Sequence, residues 1–485
     1  VVFNSLNWQR SQVVTLPLPT LENTDSTQIE WQIYDLEGQP LPSQLSAKSE
    51  LLFLASEIPS VGYRCFWLCH QDSVGCVSDS VTHHFPDNPI SVGCVSDSVT
   101  HHCRDNPISV GCVSDSVTHH SPVNTPAPNW ILENEFLRVT VDSQTGDFSS
   151  IFDKINQREI LTQAGGNQLQ SFQDRGHIYW QAWNIDPNYA QYPLSPSELK
   201  SIHWVESGTI QQRLRVVRQL GKSEFSQDYI LAVRSPILEI FTTVDWQEHH
   251  VLVKAAFPLN LAADYATYEI PCGAIQRATK STEPREQAKW EVPALRWADL
   301  TTAAAKTELG ETEYGVSLLN DCKHGYDSQP NQLRLTLLRS PNWPDPEADR
   351  GKHEFTYAVY PHSGSWQSAQ TVRKGYELNL PLQAIICPPV ETAGKAALSP
   401  VGQLLDLSAE NLVLMAFKQS ENNSQSWILR CYECHGEPAE LSLSSDLELE
   451  FSHPVDLLER PLKLSEDKKI RISPWQIVSV ELKNQ

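Results

Sequence analysis

The string Cys431-Tyr432-Glu433-Cys434-His435 has the spacing through which haem is attached by two thioethers. It closes a run, Trp427 to Cys434, that alternates like a strand. Positions i and i+3 of a strand point to opposite faces, which suits packing better than two bonds to one porphyrin. A second set of soft ligands lies in a repeat of 18 residues, Ser-Val-Gly-Cys-Val-Ser-Asp-Ser-Val-Thr-His-His, starting at Ser73, Ser91 and Ser109. Cys76, Cys94 and Cys112 each precede a His pair, as a metal-binding tract would require, but zinc sites place their ligands closer, as C-x₂₋₄-C and H-x₃₋₅-H. The other reading is a tandem insertion in a surface loop, where each doubling of length costs only about 0.6 kcal/mol. His353-Glu354 lacks the second His of a zinc-protease helix, and Asp345 to Asp349 lacks the central Gly and terminal Glu of a calcium loop. The last cluster is aromatic: Tyr179, Trp180 and Trp183 with Asp186 could line a polar cleft and stack on sugar faces, or could be core.

These groups must be positioned by strands. Leu137, Val139 and Val141; Leu238, Ile240, Thr242 and Val244; Leu333, Leu335 and Leu337; Leu447, Leu449 and Phe451; and Val478, Val480 and Leu482 each place apolar groups on one face of an extended chain. Turn signals such as Thr145-Gly146-Asp147 and His435-Gly436-Glu437-Pro438 separate them, and 32 prolines interrupt the runs. Only Thr301 to Leu309 reads as a short helix. The fold class expected is all-β, built of antiparallel sandwiches. A small N-terminal sandwich is expected over 1–72, closing with 121–128, then the repeat as a disordered insertion over 73–120. A large strand-rich block over 129–395 and a small C-terminal sandwich over 402–485 complete the division.

Composition narrows the partners. A net charge of −22 with no Lys/Arg-rich run argues against nucleic acid and anionic lipid. No apolar stretch of about 18 residues points to a membrane span, so the expected compartment is the cytoplasm. Eleven cysteines, an odd number in so long a chain, fit reduced thiols. The sequence starts at Val1 and its sole methionine is Met415, so a fragment is expected.

Several strings, taken in order, resemble the C-terminal half of family 38 glycoside hydrolases, the α-mannosidases of bacterial and cytosolic type. They are Val1 to Arg10, Leu132 to Val139, Asn167 to Asp186, Tyr268 to Pro271, Trp290 to Pro293, Asn320 to Asp327, and Leu337-Leu338-Arg339-Ser340-Pro341 through Tyr360-Pro361-His362. The resemblance implies an immunoglobulin-like sandwich, a galactose-mutarotase-like super-sandwich and a second small sandwich. It also implies a zinc-dependent retaining mechanism whose aspartate nucleophile and most zinc ligands lie on an N-terminal β/α barrel, with the last ligand on a helical linker. Both would precede Val1, so this chain is expected to carry no catalytic residue and no metal of its own, and to need a barrel supplied by a separate chain or by lost upstream sequence for mannoside hydrolysis. The stretch Arg339 to Gly351 resembles the part of the family that lines the cleft. Arg339, Tyr179, Asp186 and Trp183 are the candidates for contacts to an α-mannoside.

Two other functions compete. One is a stand-alone carbohydrate-binding or structural module. The other is an aldose-epimerase-like enzyme, which needs a His acid facing a Glu base, with His177 or His203 and Glu269 or Glu291 as the groups to try.

Overall fold

A computed structural model describes residues 1–19, 30–71, 130–176, 180–280, 282–302, 305–307, 310–387, 399–463 and 470–484. The repeat, the segment 121–128, His177 and Tyr179 lie outside the described residues. The chain divides into two units, residues 1–70 with 129–485, and residues 71–128. The sandwiches lie in the first.

The all-β expectation holds, and among the described residues each ladder is antiparallel. A nine-stranded sheet runs in the order Glu198–Ser207, Gln211–Leu220, Ser223–Ala232, Leu238–Trp246, Gly351–Ser363, Tyr314–Asn320, Trp297–Thr301, Tyr265–Ile270, Gly273–Ala278. Against it packs a five-stranded sheet in the order Gln168–Gln173, Val251–Pro258, Gln332–Leu338, Gly325–Gln329, Val292–Pro293. Alternation explains the layering, because Leu214 and Val216, Leu238 and Ile240, and Leu333, Leu335 and Leu337 all point into one buried core between the sheets. Smaller sandwiches flank it. The N-terminal one gathers around Val14, Phe53 and Ile58, and the C-terminal one around Leu429, Cys431 and Val480.

The connections are tighter than a string of beads. Strand Gln383–Ala384 pairs with Val2–Phe3 of the first strand, and Val401–Gln403 pairs with Gly62–Arg64. Helix Thr371–Asn379 covers the outer face of the nine-stranded sheet, where Val372 meets Trp297 and Tyr360, with Val413 and Tyr432 of the C-terminal sandwich joining the same cluster.

One sequence expectation fails. Among the described residues of Thr301 to Leu309 none is helical: Trp297–Thr301 is a strand, and Ala305–Thr307 pairs with Gly310–Thr312. The Ala-rich Thr-Thr-Ala-Ala-Ala-Lys run has helical propensity, but pairing in a hairpin overrides it.

Glu239 sits half-buried on strand Leu238–Trp246, opposite Ile230 and Ala358 on the neighbouring strands. Among the described residues no cation pairs with it, and burial pushes its carboxyl up to about 7. A raised acid pKa means the folded state favours the neutral form. Stability is therefore whole below the ordinary Glu range near pH 4.5 and falls as pH rises towards 7, by about 2–3 kcal/mol. Glu239→Gln should raise the denaturation midpoint at pH 8 and leave it unchanged at pH 4, as read by urea titration at both pH values. An equal shift at both would contradict the burial argument.

Candidate functional site

Strands Gln168–Gln173 and Gln332–Leu338 flank the central strand Val251–Pro258, and both run antiparallel to it. They therefore leave the sheet at the same edge, and the residues after their ends meet there. Asp174 and Arg339, 165 positions apart, form an ion pair with Arg339 Nε 2.5 Å from Asp174 Oδ2. Asp174 is 3% exposed, and Arg339 Nη2 also donates to the Asn184 carbonyl. Backbone bonds lock the edge: the Asp174 N–H donates to the His250 carbonyl, and the His250 N–H to the Ser340 carbonyl. Trp246, buried in the sandwich core, donates its indole N–H to Ser340 Oγ and ties this edge to the opposite sheet.

Over the edge lies an aromatic loop. Trp180 adopts φ 71°, opening a short 3₁₀ turn at Gln181–Trp183. The Ala182 N–H donates to the Trp343 carbonyl, and the Asn342 N–H to Gln181 Oε1. The Trp180 ring stands edge-on to Trp343 at 5.0 Å and to Trp183 at 6.2 Å. Trp180 is 61% exposed and Trp183 77%, so two adjacent indoles face solvent. Asp186 is half-buried and accepts the Asn188 N–H at 2.9 Å, which fixes the next turn. Two acceptors beside Arg339 are left over. Asp174 Oδ1 and Asn342 Oδ1 are buried with no hydrogen-bond partner among the described residues, an arrangement that an incoming hydroxyl or water would relieve.

The structure thus gathers Arg339, Trp183 and Asp186 around one loop and strand edge, while Tyr179 lies outside the described residues. Sequence reasoning missed Asp174, Asn184 and Trp343. Their partners are 155 to 165 positions away or reached through a ring contact, and no local spacing announces them.

Below the loop, the outer face of the five-stranded sheet holds a buried ionic cluster. Lys254, 0% exposed, donates to Asp327 at 2.7 Å, to Thr336 at 2.9 Å and to Glu291. Arg334 Nε donates to Asp327 Oδ1 at 2.8 Å and its Nη2 to the Tyr189 hydroxyl at 2.8 Å. Burial opposes ionisation of Asp327, but Lys254 and Arg334 outweigh it and hold the carboxyl below its ordinary value.

The epimerase pairing with His203 finds no geometry, and His177 lies outside the described residues. Glu269 is committed to the Arg296 guanidinium, Glu291 belongs to the Lys254 cluster, and His203 is exposed on the edge strand Glu198–Ser207, seven strands away from Glu269 in sheet order. Cys431 and Cys434 are buried free thiols in two separate apolar clusters, as their opposite strand faces require. Among the described residues no group of three or more His, Cys, Asp or Glu could hold a metal ion. No helix among them is long and apolar enough to cross a membrane. A cavity of about 700 Å³ elsewhere is ringed by Asp264, Glu313, Glu410 and Glu437 with no Lys or Arg, and shares no residue with the Arg339 edge.

The family described as Glycosyl hydrolases family 38 C-terminal domain matches residues 132–347, and the Glycosyl hydrolases family 38 C-terminal beta sandwich domain matches residues 411–480. Alpha-mannosidase 2C1 of Homo sapiens is 35% identical over 363 residues, covering 72% of this chain and 33% of that protein. Alpha-mannosidase of Saccharomyces cerevisiae is 30% identical over 390 residues, covering 73% of this chain and 34% of that protein. The chain thus spans about a third of the length of these curated relatives. The crystal structure of an alpha-mannosidase from Enterococcus faecalis V583 superposes with a TM-score of 0.68 at 14% identity, over 99% of this chain and 55% of that one, a likeness of fold.

Proposed function

The chain belongs to glycoside hydrolase family 38, whose C-terminal domains it carries, and from that premise we propose that it forms the sandwich wall of an α-mannoside cleft. The reaction itself falls to a zinc-bearing catalytic barrel on another segment or chain. The observation that carries this reading is the Arg339 edge, a guanidinium held rigid by a buried carboxylate beside two exposed indoles. A preset guanidinium donates to sugar hydroxyls without losing side-chain freedom on binding, and an indole face covers the apolar face of a pyranose.

Chemistry is assigned elsewhere because a retaining glycosidase needs two carboxyls about 5–5.5 Å apart across the sugar. At this edge Asp174 is neutralised by Arg339 and Asp186 serves a backbone turn, so neither is free to act as nucleophile or acid. Zinc would polarise the sugar on the barrel, and no donor set among the described residues suits it. The work left to this chain is binding, orientation and exclusion of water. An aryl α-mannoside assay of the chain alone, and of the chain paired with a family 38 barrel, tests the proposal.

A further inference from the structure

On the outer face of the five-stranded sheet, away from the Arg339 edge, registry brings together a row of amides. Gln168 and Gln170 lie two apart on one strand and share its outward face. Gln168 stands opposite Ala256, Ala256 opposite Arg334, and Arg334 opposite Asp327. One step along, Pro258 stands opposite Gln332 and Gln332 opposite Gln329. Ala256 and Pro258 are the short residues that separate these polar neighbours on the intervening strand. A cavity of about 600 Å³ is lined by Gln168, Gln170, Gln329, Gln332 and Arg334, a size that holds a small oligosaccharide.

Its walls are built and not incidental. Arg334 is 9% exposed and fixed from behind by Asp327 and Tyr189, and its Nη1 donates to Gln170 Oε1 at 3.2 Å. Gln170 in turn donates to Gln168 Oε1 at 2.9 Å, so the amides are aligned by a relay. Pro193 bridges to Phe172, and the Leu194 N–H donates to the Ser171 carbonyl, which pins an apolar wall beside the amides. Gln329 and Gln332 have no side-chain hydrogen bond among the described residues, leaving two full amide groups free at the mouth. The two charged groups of the lining are each neutralised, Arg334 by Asp327 and Asp147 by Arg218.

We propose that this amide-lined cavity is a second saccharide site, specific for a neutral, hydroxyl-rich oligosaccharide and separate from the Arg339 edge. Amides donate and accept at once, as hydroxyls do, and a lining without net charge selects against anionic and cationic ligands. The inference stands apart from the cleft proposal, because it rests on different residues.

The test is a titration of the whole chain with unbranched α-mannotriose, followed by saturation-transfer NMR, on the unmodified chain and two variants. Gln329→Ala/Gln332→Ala removes two unpartnered side chains and leaves the fold intact, as a coincident melting curve checks. Trp183→Ala disables the other edge. Millimolar binding that weakens at least about fivefold in the glutamine variant and persists in Trp183→Ala is the expected result, since each lost hydrogen bond to a saccharide hydroxyl weakens binding severalfold. Binding unchanged in the glutamine variant, lost only in Trp183→Ala, or undetectable in the unmodified chain overturns the inference. Retention in Trp183→Ala with loss in the glutamine variant upholds this site even if the Arg339 edge proves inert.

Discussion

Asp327→Ala should destabilise the protein by about 3–5 kcal/mol, because it strands Lys254 and Arg334 as buried cations with too little counter-charge. Lys254 is wholly buried on the second strand of the five-stranded sheet, and Glu291 alone would remain to neutralise it. Lys254→Met should cost less. In that variant Asp327 keeps Arg334, Glu291 keeps Thr336, and the methionine fills the volume. The ordering of the two denaturant midpoints, not the size of either, separates a charge-balance effect from a packing effect. Equal losses, or a loss below about 1 kcal/mol for Asp327→Ala, would contradict the cluster as drawn. The pH dependence has a definite sign. The Asp327 carboxyl is held below its ordinary value in the folded state, so its stabilisation is present above about pH 4 and fades as pH falls through the folded value. Asp327→Asn should remove that acid-range slope.

Arg339→Ala, in the chain paired with a family 38 barrel, should lower kcat/KM by about 10–100-fold, the range expected when a charge-assisted hydrogen bond to a substrate hydroxyl is lost. It should also lower the melting temperature, since Asp174 would be left buried without its cation. Stability alone would not show contact with substrate, so Trp183→Ala is the companion variant. Its ring is 77% exposed, and its loss should change stability by less than about 0.5 kcal/mol while raising KM. If Arg339→Ala melts early yet keeps its kcat/KM, the residue is an ordinary strand-edge ion pair and the cleft reading fails at this position.

Fold class was legible in the sequence because half-buried strands advertise themselves. Leu137, Val139 and Val141, and Leu333, Leu335 and Leu337, are all buried in one core, as their alternation implies. Strand Val251–Pro258 carries no such sign, since seven of its eight residues are buried and both its faces are covered. Lys254 in its middle reads as a solvent-facing residue until Asp327 and Glu291, 73 and 37 positions away, are brought to it. The helix Thr371–Asn379 was also silent, being short and interrupted by Gly375, and it owes its place to the apolar surface it covers. At the candidate site the ordered strings pointed to Arg339, Trp183 and Asp186. Nothing local pointed to Asp174, because an ion pair between two strand ends is a property of sheet order and not of spacing.

The central claim is that these sandwiches shape a mannoside cleft but do not themselves break the glycosidic bond. Release of nitrophenol from 4-nitrophenyl α-mannoside by the purified 485-residue chain, with and without added zinc, tests it directly. The prediction is no release above a buffer control for the chain alone, and release once a family 38 barrel is supplied. Turnover by the unaccompanied chain would contradict the account.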